Sequence, residues 1–221
     1  VSNEALAVAT RPARKQQQRS IVTQQKLLDA AIEAFSENGF KGTSTRDIAD
    51  RAGVHHPLIT YHFKSKDSLW RAATNGIFRE FNIALVKAIA EVPEVDPKAR
   101  AAAFIRTYVR YAHKQPALHK IILQEANYPS ARLNWLIENH LRPLFKEVVQ
   151  QLQELQELGI APPGDPALLF NMIRVSAGAL LALAPEIKGT SNIDFDSPAA
   201  LDELADMIIR IFLPGPPADR G

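Results

Sequence analysis

No proline lies between Pro12 and Pro57, and most of the others stand at the edges of apolar segments that repeat at helical spacing. This layout limits the possible folds more than any other feature of the chain. Proline lacks an amide hydrogen and clashes with the preceding turn, so it suits helix starts and is disfavoured in helix interiors. Pro93, Pro97, Pro116, Pro129, Pro162, Pro163, Pro166, Pro185 and Pro198 therefore mark helix ends. Between them apolar residues recur three and four apart, and no alternating run is long enough for a strand. The expected fold class is all-α, with about nine helices. They run roughly over Thr23–Asn38, Thr45–Ala52, His56–His62, Lys66–Val92, Pro97–Lys114, Pro116–Ala126, Ser130–Leu158, Pro166–Ala184 and Pro198–Leu213.

Composition removes several function classes. The chain has 221 residues, 46% hydrophobic and 23% charged, enough to bury an ordinary core. It has no cysteine, which excludes a disulfide framework, a thiolate metal site and a cysteine nucleophile. His113, His119 and His140 lack ligand-like spacing with carboxylates. No nucleophile elbow, P-loop or dinucleotide fingerprint is present. No metal, cofactor or catalytic site is expected. The longest apolar stretch, Ala167–Ala184, is interrupted by Asn171 and Arg174 and is shorter than the roughly 20 residues of a bilayer span. It reads as a buried helix. Residues 1–20 contain no continuous apolar run of the kind a secretory leader needs. A cytoplasmic protein without a membrane partner is the expectation.

Charge is unevenly placed. Residues 1–66 hold ten Lys/Arg against six Asp/Glu, and the remainder holds sixteen against eighteen. A basic end on a near-neutral body points to a polyanionic partner. Residues 1–20 carry Arg11, Arg14, Lys15 and Arg19 and read as a disordered basic tail. Such a tail would add salt-dependent affinity without sequence preference.

Thr43–Leu69 carries the most chemistry. Ser44 is placed to cap a short helix that Gly53 ends. Two short helices crossing steeply need a small residue at the crossing and a turn residue tolerating positive φ, needs that Ala49 and Gly53 fill. Ile48, Val54 and Ile59 are spaced to share a small core. This is the pattern of a helix-turn-helix, whose second helix enters the major groove of double-stranded DNA by its N-terminal end. Those leading residues are His55, His56, Pro57, Leu58 and Thr60. His56 can donate or accept at a base edge, and Leu58 can pack on a thymine methyl. Arg46 can reach a phosphate or a guanine. Ser44, Thr45, Tyr61, His62 and Lys66 are candidate phosphate contacts, assisted by backbone amides at helix starts. Phe63 reads as core, whereas Tyr61 and His62 fit either core or contact.

Residues 24–70 resemble the DNA-binding domain of the TetR family of repressors. The likeness rests on Ala30-Ala31 and Phe35, Gly39-Phe40, Gly42-Thr43-Ser44-Thr45, Ile48-Ala49, Ala52-Gly53-Val54, Tyr61-His62-Phe63 and Ser65-Lys66. The family usually has a small polar residue where His55 stands, and often Tyr or His where Thr60 stands. The resemblance therefore implies a smaller backbone contact from Thr60. Beyond this segment it extends only to length, helix count and layout. It implies a helix-turn-helix domain over 21–66, a helical ligand-binding and dimerisation domain over 67–213, and a flexible tail over 214–221.

In that layout the second domain forms a homodimer and senses an unknown small-molecule effector. Leu168-Leu169, Ile173, Ala177, Leu180-Leu181 and Ala184 give one apolar stripe for the dimer; Leu201, Leu204, Ile208, Ile211 and Phe212 give another. A ligand cavity needs apolar walls and a few convergent polar groups. Candidate lining residues are Phe81, Phe104, Tyr108, Tyr111, Gln124, Glu125, Trp135, Phe170 and Arg174, with Met172 among the large apolar ones. Arg174 would meet an acidic ligand or form a buried pair with Glu125. Other readings stay open: the same fold answering to a protein partner, an activator, or a helical enzyme or carrier with a degenerate helix-turn-helix.

Overall fold

The computed structural model describes the backbone from Glu4 to Gly215 and side chains from Gln16 onward. The described residues are helical throughout and contain no strand. The helices are α1 (Glu4–Gly42), α2 (Thr45–Ala52), α3 (Pro57–Phe63), α4 (Lys66–Ala90), α5 (Pro97–Lys114), α6 (Ala117–Ala126), α7 (Ala131–Leu136), α8 (Arg142–Glu157), α9 (Pro166–Ala177), α10 (Ala184–Ser191) and α11 (Pro198–Phe212). A π-helical turn, Ile137–Leu141, joins α7 to α8, and a 3-10 turn, Ala179–Leu183, joins α9 to α10.

The chain forms two compact units, one ending at Gly76 and one starting at Ile77. The division lies within α4, later than the boundary expected after Lys66. The start of α4 is apolar and buried at Leu69, Trp70 and Ala73, so it belongs with the core of the first unit.

In the first unit Leu27, Ala30, Ala31, Ala34 and Phe35 form the buried stripe of α1, while Leu28 and Ile32 are half-buried. Ile48, Ala49, Ile59 and Phe63 are buried from α2 and α3. At Gly39 the backbone turns to φ 68, which glycine adopts without the Cβ clash other residues suffer. Phe40 then folds back to stack on Phe35 at 5.9 Å. The Thr43 hydroxyl lies within hydrogen-bonding distance of the carbonyls of Ala34 and Gly39, between which its single proton is shared, and so ties the end of the break back to α1.

The expected tail over residues 1–20 is corrected from Glu4 on. Helix α1 begins there rather than near Thr23. Residues 13–38 contain neither glycine nor proline, and extending a nucleated helix costs far less than starting one, which accounts for α1 back to residue 13. Pro12 stands inside the helix, and nothing in the structure explains its place there. Arg19 is exposed; the side chains of Arg11, Arg14 and Lys15 lie outside the described residues. At the other end the Gly215 amide donates to the Ile160 carbonyl at 3.0 Å, so the expected loose tail is anchored at its start. Residues 216–221 lie outside the described residues.

In the second unit α5 packs on α9 and α11, and α8 packs on α9. Asp96 caps α5 by accepting from the Ala99 amide at 2.8 Å. Arg106 pairs with Asp206, and Arg110 with Asp202. Both pairs use a four-residue step, so the two helices match charges in antiparallel order. Their exposure limits each pair to about 0–1 kcal/mol. Pro166–Ser191 is long and apolar enough to cross a membrane by length and composition alone. Its helix is broken at Gly178, and Leu169, Phe170, Ile173 and Ala177 are buried within the unit. The single helix expected over Pro166–Ala184 is thus corrected to α9 plus a separate turn.

Candidate nucleic-acid interface and ligand cavity

The helix-turn-helix is assembled by local bonds. Ser44 caps α2 by accepting from the Asp47 amide at 3.0 Å. At the other end Gly53 takes φ 63, its amide donates to Asp50, and the Val54 amide donates to Ala49. This pairing satisfies the last carbonyls of α2 and turns the chain sharply. Ala49 is fully buried at the crossing. After α3, Lys64 takes φ 64, a conformation unfavourable for a residue with a Cβ. The Ser65 amide donates to Phe63 across that turn, and the Ser65 hydroxyl accepts from the Ser68 amide at the head of α4.

These turns leave most of the expected contact residues in solvent. Ser44, Arg46, His55, His56, Pro57, Thr60 and Tyr61 are exposed; Thr45, Leu58, His62 and Lys66 are half-buried. Tyr61 is 75% exposed, so it is not a core aromatic, whereas Phe63 is. His62 stands edge-on to Tyr61 at 5.0 Å. Thr45 Oγ1 lies 2.9 Å from His56 Nε2 in a hydrogen bond that ties the start of α2 to the start of α3. It fixes the ring by one nitrogen and leaves Nδ1 for another partner. The Lys66 ammonium sits 4.4 Å from the centre of the Phe40 ring. Arg51 is held by Glu37 and Asp47, so its charge is committed within the unit.

The second unit contains a cavity of about 200 Å³. Phe78 and Phe81 of α4, Tyr108 of α5, Leu118 and Ile122 of α6, and Phe170, Asn171 and Arg174 of α9 line it. Ile137 and Leu141 of the π turn and Arg142, Leu144 and Phe145 of α8 complete the wall. A π turn redirects side chains that a regular helix would carry past, and such turns recur at binding sites. Inside this one, His140 stacks on Phe78 at 4.3 Å. Burial lowers the pKa of His140.

Four of the expected lining residues, Phe81, Tyr108, Phe170 and Arg174, meet at this cavity. Five do not. Phe104 stacks on Tyr108 at 6.0 Å. The Tyr111 hydroxyl donates to the Ile77 carbonyl at 2.8 Å and serves to hold α4. Glu125, 7% exposed, is bound by Arg132 at 3.0 Å and by the Ser130 hydroxyl. Trp135 stands edge-on to His140, and Gln124 is half-buried elsewhere. The pairing of Arg174 with Glu125 is likewise replaced. Among the described residues Arg174 donates to Asn171 Oδ1 at 3.2 Å and meets no carboxylate.

Sequence reasoning missed Phe78, Leu118, Ile122, Ile137, Leu141, Arg142, Leu144, Phe145 and Asn171. Phe78 precedes Phe81 by three residues, and Asn171 precedes Arg174 by three. Helical spacing alone would have paired them. The π-turn residues carried no such signal.

Beside the cavity the Tyr108 hydroxyl and His119 Nε2 share a hydrogen bond of 2.8 Å. Burial pushes Tyr108 up, with Arg174 acting in the opposite direction. His119 is pulled down to about 4, by burial first and Arg174 second. His119 is buried and neutral, and its Nδ1 meets no partner among the described residues. No group of three or more potential metal ligands occurs among the described residues.

Comparison with known proteins agrees with this layout. The family model for bacterial regulatory proteins, tetR family, matches residues 27–73. The HTH-type transcriptional regulator RutR of Escherichia coli K12 is 25% identical over 189 residues, covering 86% of this chain and 88% of RutR. The crystal structure of AibR in complex with isovaleryl coenzyme A and operator DNA matches with a TM-score of 0.70 and 15% identity, over 87% of this chain and 99% of that one. A TetR-like transcriptional regulator from Rhodococcus sp. RHA1 matches with a TM-score of 0.64 and 22% identity, over 85% and 94% of the two chains.

Proposed function

The chain belongs to the TetR family of transcriptional regulators, and we propose that it is a ligand-responsive repressor acting as a homodimer on a palindromic operator. One observation carries this reading. A helix-turn-helix with exposed Arg46, His55, His56 and Tyr61 shares a chain with a cavity lined by phenylalanines and one arginine that lacks a carboxylate partner among the described residues. Operator reading falls to the start of α3, with His56 set by Thr45. Ser44, Arg46, Tyr61 and Lys66 serve the phosphates.

One recognition helix reads few base pairs, so two half-sites about 34–36 Å apart supply the remaining specificity. The second unit offers a dimer surface. Leu168, Met172 and Val175 on α9, and Met207 and Ile211 on α11, are large apolar side chains left in solvent. Of the stripes expected from the sequence, Leu168 and Ile211 belong to this surface and most of the rest do not. Leu169, Ile173, Ala177, Leu181, Leu201, Ile208 and Phe212 are buried inside the subunit. The neighbouring faces of the same helices are the ones available to a second copy.

Helix α4 starts at Lys66 and carries Phe78 and Phe81 on the cavity wall. A bound effector that displaces those rings moves α4, alters the separation of the two recognition helices and weakens operator binding. The effector must bind one arrangement better than the other, because equal affinity shifts nothing.

The test is to sequence genomic DNA fragments retained by the purified protein at near-physiological salt. Enrichment of a single inverted repeat is the expected result. Retention without a shared motif would reduce the interaction to phosphate contact and overturn the operator reading. Operators that lie upstream of promoters and raise transcription would replace repression with activation.

A further inference from the structure

The cavity wall states what kind of molecule would complete it, given the proposed role as an effector site. Its lining residues include Tyr108, Arg142, Asn171 and Arg174 but no aspartate or glutamate. The two arginines differ. Arg142 is bound at two points by Glu138, at 2.7 and 3.0 Å, in an exposed position. Arg174 is half-buried, touches the amide of Asn171 at 3.2 Å, and has no carboxylate among the described residues. A guanidinium withdrawn from water costs free energy unless an anion meets it. Its planar fork matches a carboxylate at two points. Phe81, Phe145 and Phe170 supply the apolar remainder of the wall.

We infer that the cavity takes a small organic monocarboxylate, its anionic head on Arg174 and its hydrocarbon or single-ring body among the phenylalanines. This inference rests on the effector reading above and narrows it. The size limit comes from the volume. About 200 Å³ is below the roughly 300–1,000 Å³ of pockets for drug-sized ligands. A short acid fits within that volume. Asn171 holds the guanidinium from one side, leaving its other donors for the ligand. The charge of Arg174 also acts on Tyr108 and His119, which places its field at this end of the cavity.

Calorimetric titration of the full chain with hexanoate and benzoate, against hexanamide and benzamide, tests the assignment. The amides keep shape and lose charge. Carboxylates are expected to bind at least tenfold more tightly than their amides, and Arg174→Gln to remove that preference by weakening the acids far more than the amides. Arg174→Lys, which keeps the charge and loses the fork, is expected to fall between. Since the wild-type comparison needs no variant, a folding defect in Arg174→Gln does not spoil the test. Equal binding of acid and amide, no binding of either acid, or acid binding indifferent to residue 174 would each overturn it. The two readings separate in a parallel DNA titration. Acids that bind through Arg174 without releasing the operator would keep the anion site and sink the effector role. Release by a neutral molecule, with no acid binding, would do the reverse.

Discussion

The imidazole of His119 occupies the space that a β-carbon at position 178 would need. Gly178 lies where α9 gives way to the 3-10 turn, and His119 reaches it from α6. Glycine at this point is required by a close approach, not by its backbone angles. Gly178→Ala should push the ring aside and disturb its bond to Tyr108 on the cavity wall. Overpacking of this kind costs about 1–3 kcal/mol. Urea denaturation should show the midpoint lowered with an unchanged slope.

The same histidine makes stability depend on pH. Its folded value of about 4 lies below the usual 6.5, mainly because burial disfavours the imidazolium. Between those values the unfolded chain binds more protons than the folded one. Stability is therefore full above about pH 6.5, declines as pH falls toward 4, and levels off below. The shift corresponds to about 3 kcal/mol. His140, lowered by burial, acts in the same direction. Denaturation curves measured from pH 7.5 to 4.5 should show this decline, and His119→Gln should flatten most of it. An unchanged decline in the variant would assign it to other groups.

On the DNA side, residues on the exposed surface of the helix-turn-helix should separate by role. Arg46→Ala and Tyr61→Phe should weaken operator binding without altering the melting temperature, since both side chains are exposed. Loss of the Arg46 charge should lower the slope of log affinity against log salt by about 1, which fluorescence anisotropy at several salt concentrations measures, whereas loss of the uncharged Tyr61 hydroxyl should leave that slope unchanged. Thr45→Val frees His56 Nε2 and should instead relax the base preference at one operator position.

A charge on the exposed apolar strip should break the dimer. Met172→Glu and Ile211→Glu place a carboxylate on positions 56% and 59% exposed, so the subunit fold should survive. Sedimentation should show monomers where the parent is dimeric. Operator affinity should fall with them, because one recognition helix reads a single half-site. Dimers of unchanged stability would move the interface elsewhere.

Local requirements were legible from residues alone. The Ser44 cap, the Ala49 crossing, the Gly53 turn and the start of α4 after Ser65 follow from backbone geometry, which a few neighbouring residues determine. So did the all-helical class, because proline placement and apolar spacing act within one helix at a time. What tertiary structure decided was the direction in which each apolar face looks. Leu168 and Leu169 are equally hydrophobic, yet one is 65% exposed and the other buried. Only the docking of α5, α8 and α11 on α9 distinguishes them. Arg174 and Glu125 were both legible as unusual polar residues, but Glu125 met Arg132 and Arg174 met no acid among the described residues. The π turn supplied cavity walls that helical spacing does not foresee. Composition fixes the supply of apolar and charged groups, but partners on different helices are chosen by packing, which no local window contains.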